Sequence, residues 1–385
     1  MLMALFWLSL FALIYIYIGY PILVRFLAGY LQSPIKQDDS FEPSVSILIA
    51  AFNEAKDIRA TLENKLALDY PADKFEILVV SDESDDGTDD IVLELASNAS
   101  VAIKLHRQVP RQGKTAGLNQ LVPMASGNII LFSDANSEWE PQALRRLVRN
   151  FADPQVGYVT GKMIYVNEDG SLVGDGCSAY MKYENWLREQ ETRVGSVVGV
   201  DGGIDAMRTS LYQTLRADQL PDFVQPLKVV EQGYRVVYEP EALLREHALA
   251  DGTSEFSMRV RVSLRALWAL KDMAHLMNPG KYGFFGFQLV SHKLLRYLAF
   301  IPLLLLTLSA LFLAGKGGFF ALSAIGLVMF YGLSWAGRMS DQSGRDMPVF
   351  YSIPYYFMLL NMASLKAALA FLRGEKKVTW TPRKG

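Results

Sequence analysis

The stretch SVSILIAAF at residues 44–52 contains no charged side chain and is followed directly by Asn53 and Glu54. Two further apolar runs rich in β-branched residues come later, EILVVS at 76–81 and NIILFS at 128–133. Continuous rather than alternating hydrophobicity is typical of strands that are covered on both faces of a largely parallel sheet. The three runs therefore predict buried parallel strands.

Segments with helical character separate these strands. Helices are predicted at 54–68, 88–96 and 114–122, and two more strands at 156–166 and 234–239. Strands that alternate with helices favour a sheet with helices on both faces. The predicted fold is therefore α/β, with an open and mostly parallel sheet.

Three runs without charged side chains predict membrane helices. They occupy residues 1–24, 297–315 and 317–337, and only Lys316 separates the second run from the third. About 20 apolar residues are enough to cross a bilayer. No Lys or Arg precedes the first run, which favours an uncleaved anchor over a signal peptide. The other two runs predict a tight helical hairpin.

Positive charges predict the orientation of these segments. Arg25 follows the first run, which places residues 32–290 in the cytoplasm and the protein in the inner or plasma membrane. A fourth run, 347–365, is interrupted by Pro354 and Asn361. If it spanned the bilayer, the basic tail would lie outside, against the positive-inside rule. An interfacial or re-entrant segment is therefore favoured there.

A basic segment lies between the soluble part and the hairpin. From Arg259 to Arg296 the chain carries seven Lys or Arg residues against one acid, Asp272, with apolar residues at helical spacing. This pattern predicts a helix on anionic headgroups. The resulting domains are an anchor, a cytoplasmic catalytic domain, a basic interfacial region, a hairpin and a final membrane or interfacial segment, at 1–31, 41–255, 256–296, 297–337 and 347–385.

Composition excludes several classes of protein. Of 385 residues, 51% are hydrophobic and the net charge is −2, which argues against a nucleic-acid binder and against a disordered chain. The one cysteine, Cys177, excludes an internal disulfide framework and a cysteine-rich zinc module.

Polar side chains follow each predicted parallel strand. Asn53 and Glu54 follow the first, the acidic stretch 81–87 follows the second, and DAN at 134–136 follows the third. Ligands of such sheets bind at the carboxyl ends of the strands. Together with RQGK at 111–114, these residues predict a site for a polar ligand that carries phosphate and a metal.

Familiar motifs do not explain this site. The acidic loop starts like an EF-hand, but Leu93 stands where the bidentate glutamate belongs. Gln108 stands where a P-loop needs its first glycine, and no G-x-G-x-x-G follows the first strand. What remains is Asp134 with Asn136, whose oxygens can hold Mg²⁺ or Mn²⁺ against a diphosphate.

The order of these motifs resembles glycosyltransferase family 2, which has a nucleotide-sugar-binding GT-A fold. The resemblance covers about residues 44–265 and rests on SILIAAFNE, VVSDESDDGT, RQGKTAGLN, FSDAN, GVDGGIDAMR and LPDF followed by GYRVVYEPEA. Each motif is weak by itself, but the ordered set is specific. The membrane layout is similar to that of members that build cell-surface polysaccharides and glycolipids.

The resemblance implies roles for particular residues. Glu54 and Asp82 would contact the base and ribose of the nucleotide, and Lys114 would lie near its diphosphate. Asp134 and Asn136 match the metal-binding D-x-D motif, with an amide in place of the second carboxylate. A divalent cation, Mg²⁺ or Mn²⁺, is the implied cofactor.

The acceptor side is also implied by the resemblance. Asp222 in LPDF matches the acid commonly assigned as catalytic base, and Asp201 and Asp205 are candidate acceptor contacts. The stretch RVRVSLRALW stands where processive members carry Q-x-x-R-W, and it lacks the glutamine. Its arginines, Arg261 among them, remain candidates for holding the diphosphate.

The function implied is that of a membrane-bound inverting transferase. It would move a sugar from a nucleotide-sugar, with UDP as the expected nucleotide, to a lipid-linked or polysaccharide acceptor. A processive polysaccharide synthase is the nearest alternative. A transporter with a regulatory domain and a non-catalytic nucleotide-sugar sensor are alternatives of other classes, and the uncharged spans argue against transport.

Overall fold

The computed structural model describes residues 1–166, 172–247, 252–343, 349–376 and residue 378. The chain divides into two compact units. The membrane-helix unit comprises Met1–Tyr30, Tyr165–Leu187 and His247–Glu375, and the sheet unit comprises Leu31–Ile164, Arg188–Glu246 and Lys376–Gly385.

Four parallel strands form one half of the sheet in the sheet unit. They are β1 (Val45–Ala51), β2 (Phe75–Ser81), β3 (Ala102–Arg107) and β4 (Ile129–Asp134), in the order β3-β2-β1-β4. Every residue of β1 and β2 is buried, as the continuous hydrophobicity predicted. The register aligns their carboxyl ends, since Ala51 pairs with Ser81 and Ala50 pairs with Asp134.

The other half of the sheet contains antiparallel pairs. It consists of β5 (Glu138–Trp139), β6 (Val156–Val166), β7 (Asp205–Arg208) and β8 (Arg235–His247), and the full order is β3-β2-β1-β4-β7-β6-β8-β5. The strands β6 and β8 were predicted, β8 as a shorter segment. The strands β3, β5 and β7 were not, because β3 is partly exposed and β5 and β7 are two and four residues long.

Helices cover this sheet near the predicted positions. They are α3 (Ile58–Leu66), α4 (Thr88–Asn98), α5 (Lys114–Leu121), α6 (Ala143–Val148) and, after α7 described below, α8 (Pro221–Glu231). One hydrophobic core joins Leu78 and Val80 of β2 to Leu118 of α5 and Val229 of α8. The predicted α/β fold is confirmed.

The membrane-helix unit consists of helices. Two of them, α1 (Leu2–Ile14) and α2 (Tyr20–Tyr30), are joined by a π-helical turn. The others are α7 (Leu172–Val194), α9 (Gly252–Asp272), α10 (Pro279–Gln288), α11 (Leu295–Tyr297), α12 (Phe300–Leu313), α13 (Gly318–Ser343) and α14 (Ser352–Leu372). Of α7, the part up to Leu187 belongs to this unit. The predicted catalytic domain, 41–255, included the segment Tyr165–Leu187 that groups here.

Three helices of the described chain are long and apolar enough to cross a membrane. They are Leu2–Tyr30, Gly318–Ser343 and Ser352–Leu372. A fourth candidate is the pair Pro279–Tyr297 and Phe300–Lys316, whose axes differ by 57°. The predicted hairpin around Lys316 thus begins with a bent segment that the uncharged run alone did not indicate.

Residues 352–365 of the fourth apolar run lie in one uninterrupted helix, α14, instead of a re-entrant turn, and residues 347 and 348 lie outside the described part of the chain. Pro354 lies in its first turn, where a missing backbone N–H breaks no helical hydrogen bond. The Asn361 side chain donates to the carbonyl of Phe357 in the preceding turn, at 2.9 Å. Neither residue therefore interrupts the helix.

The first part of the basic segment lies in α9, and the apolar face of this helix packs against another helix. Leu264 and Leu267 are buried and pack with Ala367 and Ala370 of α14 in one cluster. The ring of Trp268 packs against that of Phe371 at an angle of 56°, with centroids 4.6 Å apart. The apolar stripe of α9 is therefore largely a contact between helices.

Candidate active site

Lys114 brings together three segments that are distant in the sequence. It is the first residue of α5, and its Nζ lies 2.8 Å from Oδ1 of Asp134 and 3.5 Å from Oδ1 of Asp222. Asp134 ends β4, and Asp222 lies in the first turn of α8. Three of the residues implied by the resemblance therefore share one location.

The charge state of Lys114 follows from this arrangement. Burial by itself lowers the pKa of a lysine, but the carboxylates of Asp134 and Asp222 outweigh burial and raise the pKa of Lys114 above its ordinary value. The side chain is therefore an ammonium at neutral pH. A fixed cation at the end of a parallel sheet suits a diphosphate.

Asp82 organises the loop that precedes Lys114. Its buried carboxylate accepts the backbone N–H groups of Gln112 and Gly113, at 2.9 and 3.1 Å, and a hydrogen bond from the Gln108 side chain. Arg111 Nε is 3.3 Å away. Because this carboxylate fixes the start of α5, it positions Lys114, while its expected contact with the nucleotide remains a prediction.

The loops after β1 and β2 are tied to each other. Asn53 has φ 52° and exchanges two hydrogen bonds with Asp85, at 2.8 and 3.0 Å. The backbone N–H of Glu54 donates to Thr88, at 3.0 Å. Glu54 therefore lies beside the Asp82 loop, as expected for a site at the carboxyl ends of these strands.

Sequence reasoning missed a contact between an aromatic ring and a cation at this edge. The guanidinium of Arg111 lies over the ring of Phe52, 3.3 Å from the centroid. Phe52 ends the stretch that predicted β1, and Arg111 opens the RQGK stretch. The two residues belong to separate motifs, and nothing in the spacing of these motifs indicates that the two side chains stack.

The Asp134–Asn136 loop is held in place through its backbone. The buried Lys65 side chain donates to the Ser137 carbonyl at 2.7 Å, and Thr61 donates to the Ala135 carbonyl at 2.6 Å. Burial lowers the pKa of Lys65 to about 7. These contacts fix the loop that bears the side chains of Asp134 and Asn136.

The donor set of this loop fits a weakly held hard cation. Asp134 is 43% exposed at its side chain and supplies carboxylate oxygen, and Asn136 supplies amide oxygen. Magnesium commonly uses one or two carboxylates and completes its shell with water and substrate phosphate. Within the described ranges, no group of three or more His, Cys, Asp or Glu residues forms a metal cluster. The oxygen donors of this loop are therefore suited to a cation that a phosphate group of the ligand also binds.

The glycine-rich run lies against both acids. Gly202 has φ +86°, and a Cβ there would lie 2.8 Å from the Asp222 carboxyl group. A Cβ at Gly203 would lie 3.6 Å from Oδ2 of Asp134. Glycine is therefore needed at position 202 both for its backbone conformation and for the space beside Asp222.

Two acids of this run make contacts inside the protein. The Asp201 side chain is 3% exposed and pairs with Arg188 at 2.6 Å, while its expected contact with the acceptor remains a prediction. Asp205 is buried and accepts from Tyr158 and from the Gly202 N–H, at 2.9 and 3.0 Å. Burial raises the pKa of Asp205 to about 7. Both acids support the glycine run from within the protein.

The end of the chain approaches the same site. The Lys376 side chain is hydrogen bonded to Asp218, four residues before Asp222. The carbonyl oxygen of Val378 would lie 2.8 Å from a Cβ at Gly113, next to Lys114. In the sequence, the one signal of this approach is the basic character of the tail, which the positive-inside rule used to predict membrane topology.

Arg261 is the one candidate outside the sheet unit. It lies on α9 of the membrane-helix unit. Its assignment to the diphosphate stays a prediction.

The fold and the grouped acids define a GT-A glycosyltransferase domain. Residues 46–214 match the sequence model of Glycosyl transferase family 2. The resemblance inferred from the ordered motifs is thereby confirmed.

Similar proteins include membrane-lipid and polysaccharide synthases. The chain is 32% identical over 156 residues to the beta-monoglucosyldiacylglycerol synthase of Trichormus variabilis, covering 40% of this chain and 33% of that protein. It is 28% identical over 205 residues to the poly-beta-1,6-N-acetyl-D-glucosamine synthase of Staphylococcus aureus, covering 52% of this chain and 48% of that protein. The chain thus matches less than half the length of either relative.

A solved structure shares the fold. The mannosyltransferase PcManGT from Pyrobaculum calidifontis, in complex with GDP-Man and Mn²⁺, superposes with a TM-score of 0.76. The match covers 97% of this chain and 100% of that chain, at 22% sequence identity. At this identity the likeness concerns the fold, helices included.

Proposed function

We propose that this protein is a membrane-bound inverting glycosyltransferase. It transfers a sugar from a nucleotide-sugar, with UDP as the expected nucleotide, to a lipid-linked or polysaccharide acceptor. The observation that carries this proposal is the contact of one partly buried ammonium, Lys114, with both Asp134 and Asp222. Asp134, at the proposed diphosphate-binding end of the site, and the candidate base Asp222 therefore contact the same side chain.

The proposed reaction is one displacement at the anomeric carbon. Asp222 takes the proton of the attacking acceptor hydroxyl, whose oxygen forms the new bond to that carbon. The bond from the carbon to the phosphate oxygen breaks, and its electron pair leaves with the nucleoside diphosphate. Lys114 stabilises the negative charge that develops on this leaving group. A single displacement inverts the anomeric configuration.

A divalent cation fits this proposal. Asp134 and Asn136 would hold Mg²⁺ or Mn²⁺, and the cation would neutralise charge on the diphosphate. The presence of Mn²⁺ in the mannosyltransferase of like fold supports this assignment. Asp82 and Glu54, at the neighbouring strand ends, are the proposed contacts of the nucleoside.

The acceptor is proposed to be reached at the membrane. The relatives named for a glycolipid and for a polymer support both classes of acceptor. Transfer of one sugar is preferred to polymer synthesis because the stretch at 256–268 lacks the Q-x-x-R-W pattern and the membrane segments are few. The proposed location is the inner or plasma membrane, with the sheet unit in the cytoplasm.

Release of nucleoside diphosphate by the full chain tests the proposal. The detergent-solubilised protein is incubated with Mn²⁺ or Mg²⁺, a membrane-lipid extract as acceptor, and a panel of UDP-sugars together with GDP-Man. Mass spectrometry of the lipid and aqueous fractions then identifies the product. Lipid carrying one sugar is the expected outcome.

Other outcomes correspond to the alternative functions. Long polymer made from donor alone would identify a processive synthase. Binding of UDP in a calorimeter without turnover of any donor would identify a sensor and contradict the proposed transfer.

A further inference from the structure

A cavity of about 380 Å³ lies among the helices of the membrane-helix unit. Its wall is built by the first membrane helix, α7, α9, the bent segment before Lys316, and α14. Its volume lies within the range of pockets that bind small ligands, about 300–1,000 Å³. The chemistry of the proposed transfer uses none of its lining residues.

Positive charge dominates the polar part of this cavity. Arg259, Lys293 and Arg296 line it, and no Asp or Glu is found among the described lining residues. Two buried carboxylates lie behind the cations: Glu255 accepts from Arg259 at 2.7 Å, and Glu184 contacts Arg296 and, at 3.8 Å, Lys293.

Tyrosines hold the two guanidinium groups in position. Arg259 donates to the Tyr356 oxygen at 2.7 Å, and the Tyr356 hydroxyl donates to Glu255 at 2.7 Å. The guanidinium of Arg296 lies 5.1 Å from the ring centroid of Tyr183 and 5.7 Å from that of Tyr180. Planar cations fixed in this way are preorganised for oxyanions such as phosphate.

The rest of the cavity is apolar. Its wall includes Val262, Ile353, Phe357 and Leu360. Ionisable side chains are costly among membrane segments, so a cluster of three cations there indicates a function. Basic pockets between membrane helices bind the headgroups of anionic lipids. A ligand that matches both parts of the cavity has a phosphate at one end and hydrocarbon at the other.

We propose that this cavity is a binding site for a phosphate-bearing lipid. The phosphate lies against Arg259, Lys293 and Arg296, and the first part of the hydrocarbon lies against the wall formed by Val262, Ile353, Phe357 and Leu360. The site is additional to the proposed transferase site and is tested by binding alone. A failure of this proposal would therefore leave the proposed transfer untouched.

The test is native mass spectrometry of the full chain in detergent micelles. The protein is titrated with dioleoyl phosphatidic acid, with dioleoylglycerol as the lipid that lacks phosphate, and with inorganic phosphate as the anion that lacks lipid. Phosphatidic acid is expected to bind at least tenfold more tightly than dioleoylglycerol. Inorganic phosphate at equal concentration is expected neither to bind nor to displace it.

Variants locate the binding. Lys293→Met and Arg259→Gln are expected to weaken phosphatidic acid binding about tenfold. Thermal unfolding checks that each variant is folded. The matched control is Arg338→Gln, since Arg338 lines a separate cavity of about 440 Å³ in the same unit. This control is expected to bind like the parent protein.

Three results would overturn the proposal. Equal affinity for phosphatidic acid and dioleoylglycerol would show that the phosphate is not recognised. Equal weakening by Arg338→Gln would show attraction to surface charge in general. Displacement of the lipid by an equal concentration of inorganic phosphate would identify free phosphate as the ligand.

Discussion

The ammonium of Lys114 lies 3.5 Å from the carboxylate of Asp222, although the two residues are far apart in the chain. The first begins α5 and the second lies in the first turn of α8. The helix start at Lys114 is fixed by Asp82, which accepts the N–H groups of the two preceding residues. The pair is thus formed by the starts of two helices that pack into the same hydrophobic core.

Asp222→Asn is expected to lower turnover about 100- to 10,000-fold, the range of a lost general base. Donor affinity should change little, because Lys114 and Asp134 remain. Steady-state kinetics and calorimetric titration with UDP measure the two effects. The matched control is Glu231→Gln at the other end of α8, which pairs with Lys228. Normal turnover in Asp222→Asn would remove the base assignment.

Gly202→Ala is expected to reduce both stability and activity. The backbone has φ +86°, which costs an alanine about 1–2 kcal/mol, and the new Cβ would lie 2.8 Å from the Asp222 carboxyl group. Gly233→Ala is the control, since Gly233 also has φ +86° but has nothing within 4 Å of its Cβ position. The midpoint temperature of thermal unfolding should fall in both variants, whereas turnover should fall only in Gly202→Ala. Equal turnover in the two variants would contradict a role for the glycine run in the site.

Asp205→Asn is expected to flatten the pH dependence of stability. Burial raises the pKa of Asp205 from 3.8 to about 7, so the folded state binds a proton more tightly than the unfolded state between these values. Its contribution to the free energy of unfolding is therefore greatest below pH 4 and falls as the pH rises to 7. Thermal unfolding from pH 4 to 8 measures the slope, and an unchanged slope in the variant would exclude Asp205 as its cause.

Removal of divalent cations with a chelator is expected to abolish turnover, and Mn²⁺ or Mg²⁺ should restore it. Because one of the two expected ligands is an uncharged amide, Asn136→Asp should lower the cation concentration needed for half-maximal activity. Asn136→Ala should raise it. The same concentration for all three proteins would show that residue 136 does not contact the cation.

The contact of the C-terminal tail with the sheet unit predicts that the chain crosses the membrane an even number of times between them. Lys376 contacts Asp218 in that unit, so a tail that follows membrane-spanning helices must lie on the same side of the bilayer as that unit. Three candidate segments precede the tail: the bent pair, α13 and α14. One of them therefore does not cross completely, and the sequence favours α14 because the positive charges follow it.

Cysteine labelling in sealed vesicles tests this topology. Cys177 is buried and should react little, whereas Ser100, Lys316 and Lys376 are exposed. Lys376→Cys should react from the same side as Ser100→Cys, and Lys316→Cys from the other side. Reaction of Lys376→Cys opposite to Ser100→Cys would contradict the contact with Asp218.

Several features of the site were predictable because they depend on local sequence. The parallel strands are buried on both faces, so their hydrophobic runs are continuous and their ends mark the ligand-binding edge. Asp134 and Glu54 were found in this way. Lys114 and Asp222 were indicated by the ordered motifs, and their proximity was not deducible from spacing.

The remaining features depend on contacts between distant segments. Asp201 stood in a glycine run like a ligand contact, but its pairing with Arg188 comes from another segment and has no local signature. The stacking of Arg111 on Phe52 and the approach of Val378 to Gly113 are of the same kind.

The sequence by itself determined the strand–helix alternation, the candidate membrane helices and the resemblance to a family, because periodicity and motif order are properties of neighbouring residues. Only the tertiary structure decided which charges meet. The energy of an ion pair depends on distance and burial, and the folded chain alone sets both. This is why Lys114, Asp134 and Asp222 could be chosen from the sequence, whereas their contacts with one another, and the cationic cavity among the membrane helices, could be found only in the fold.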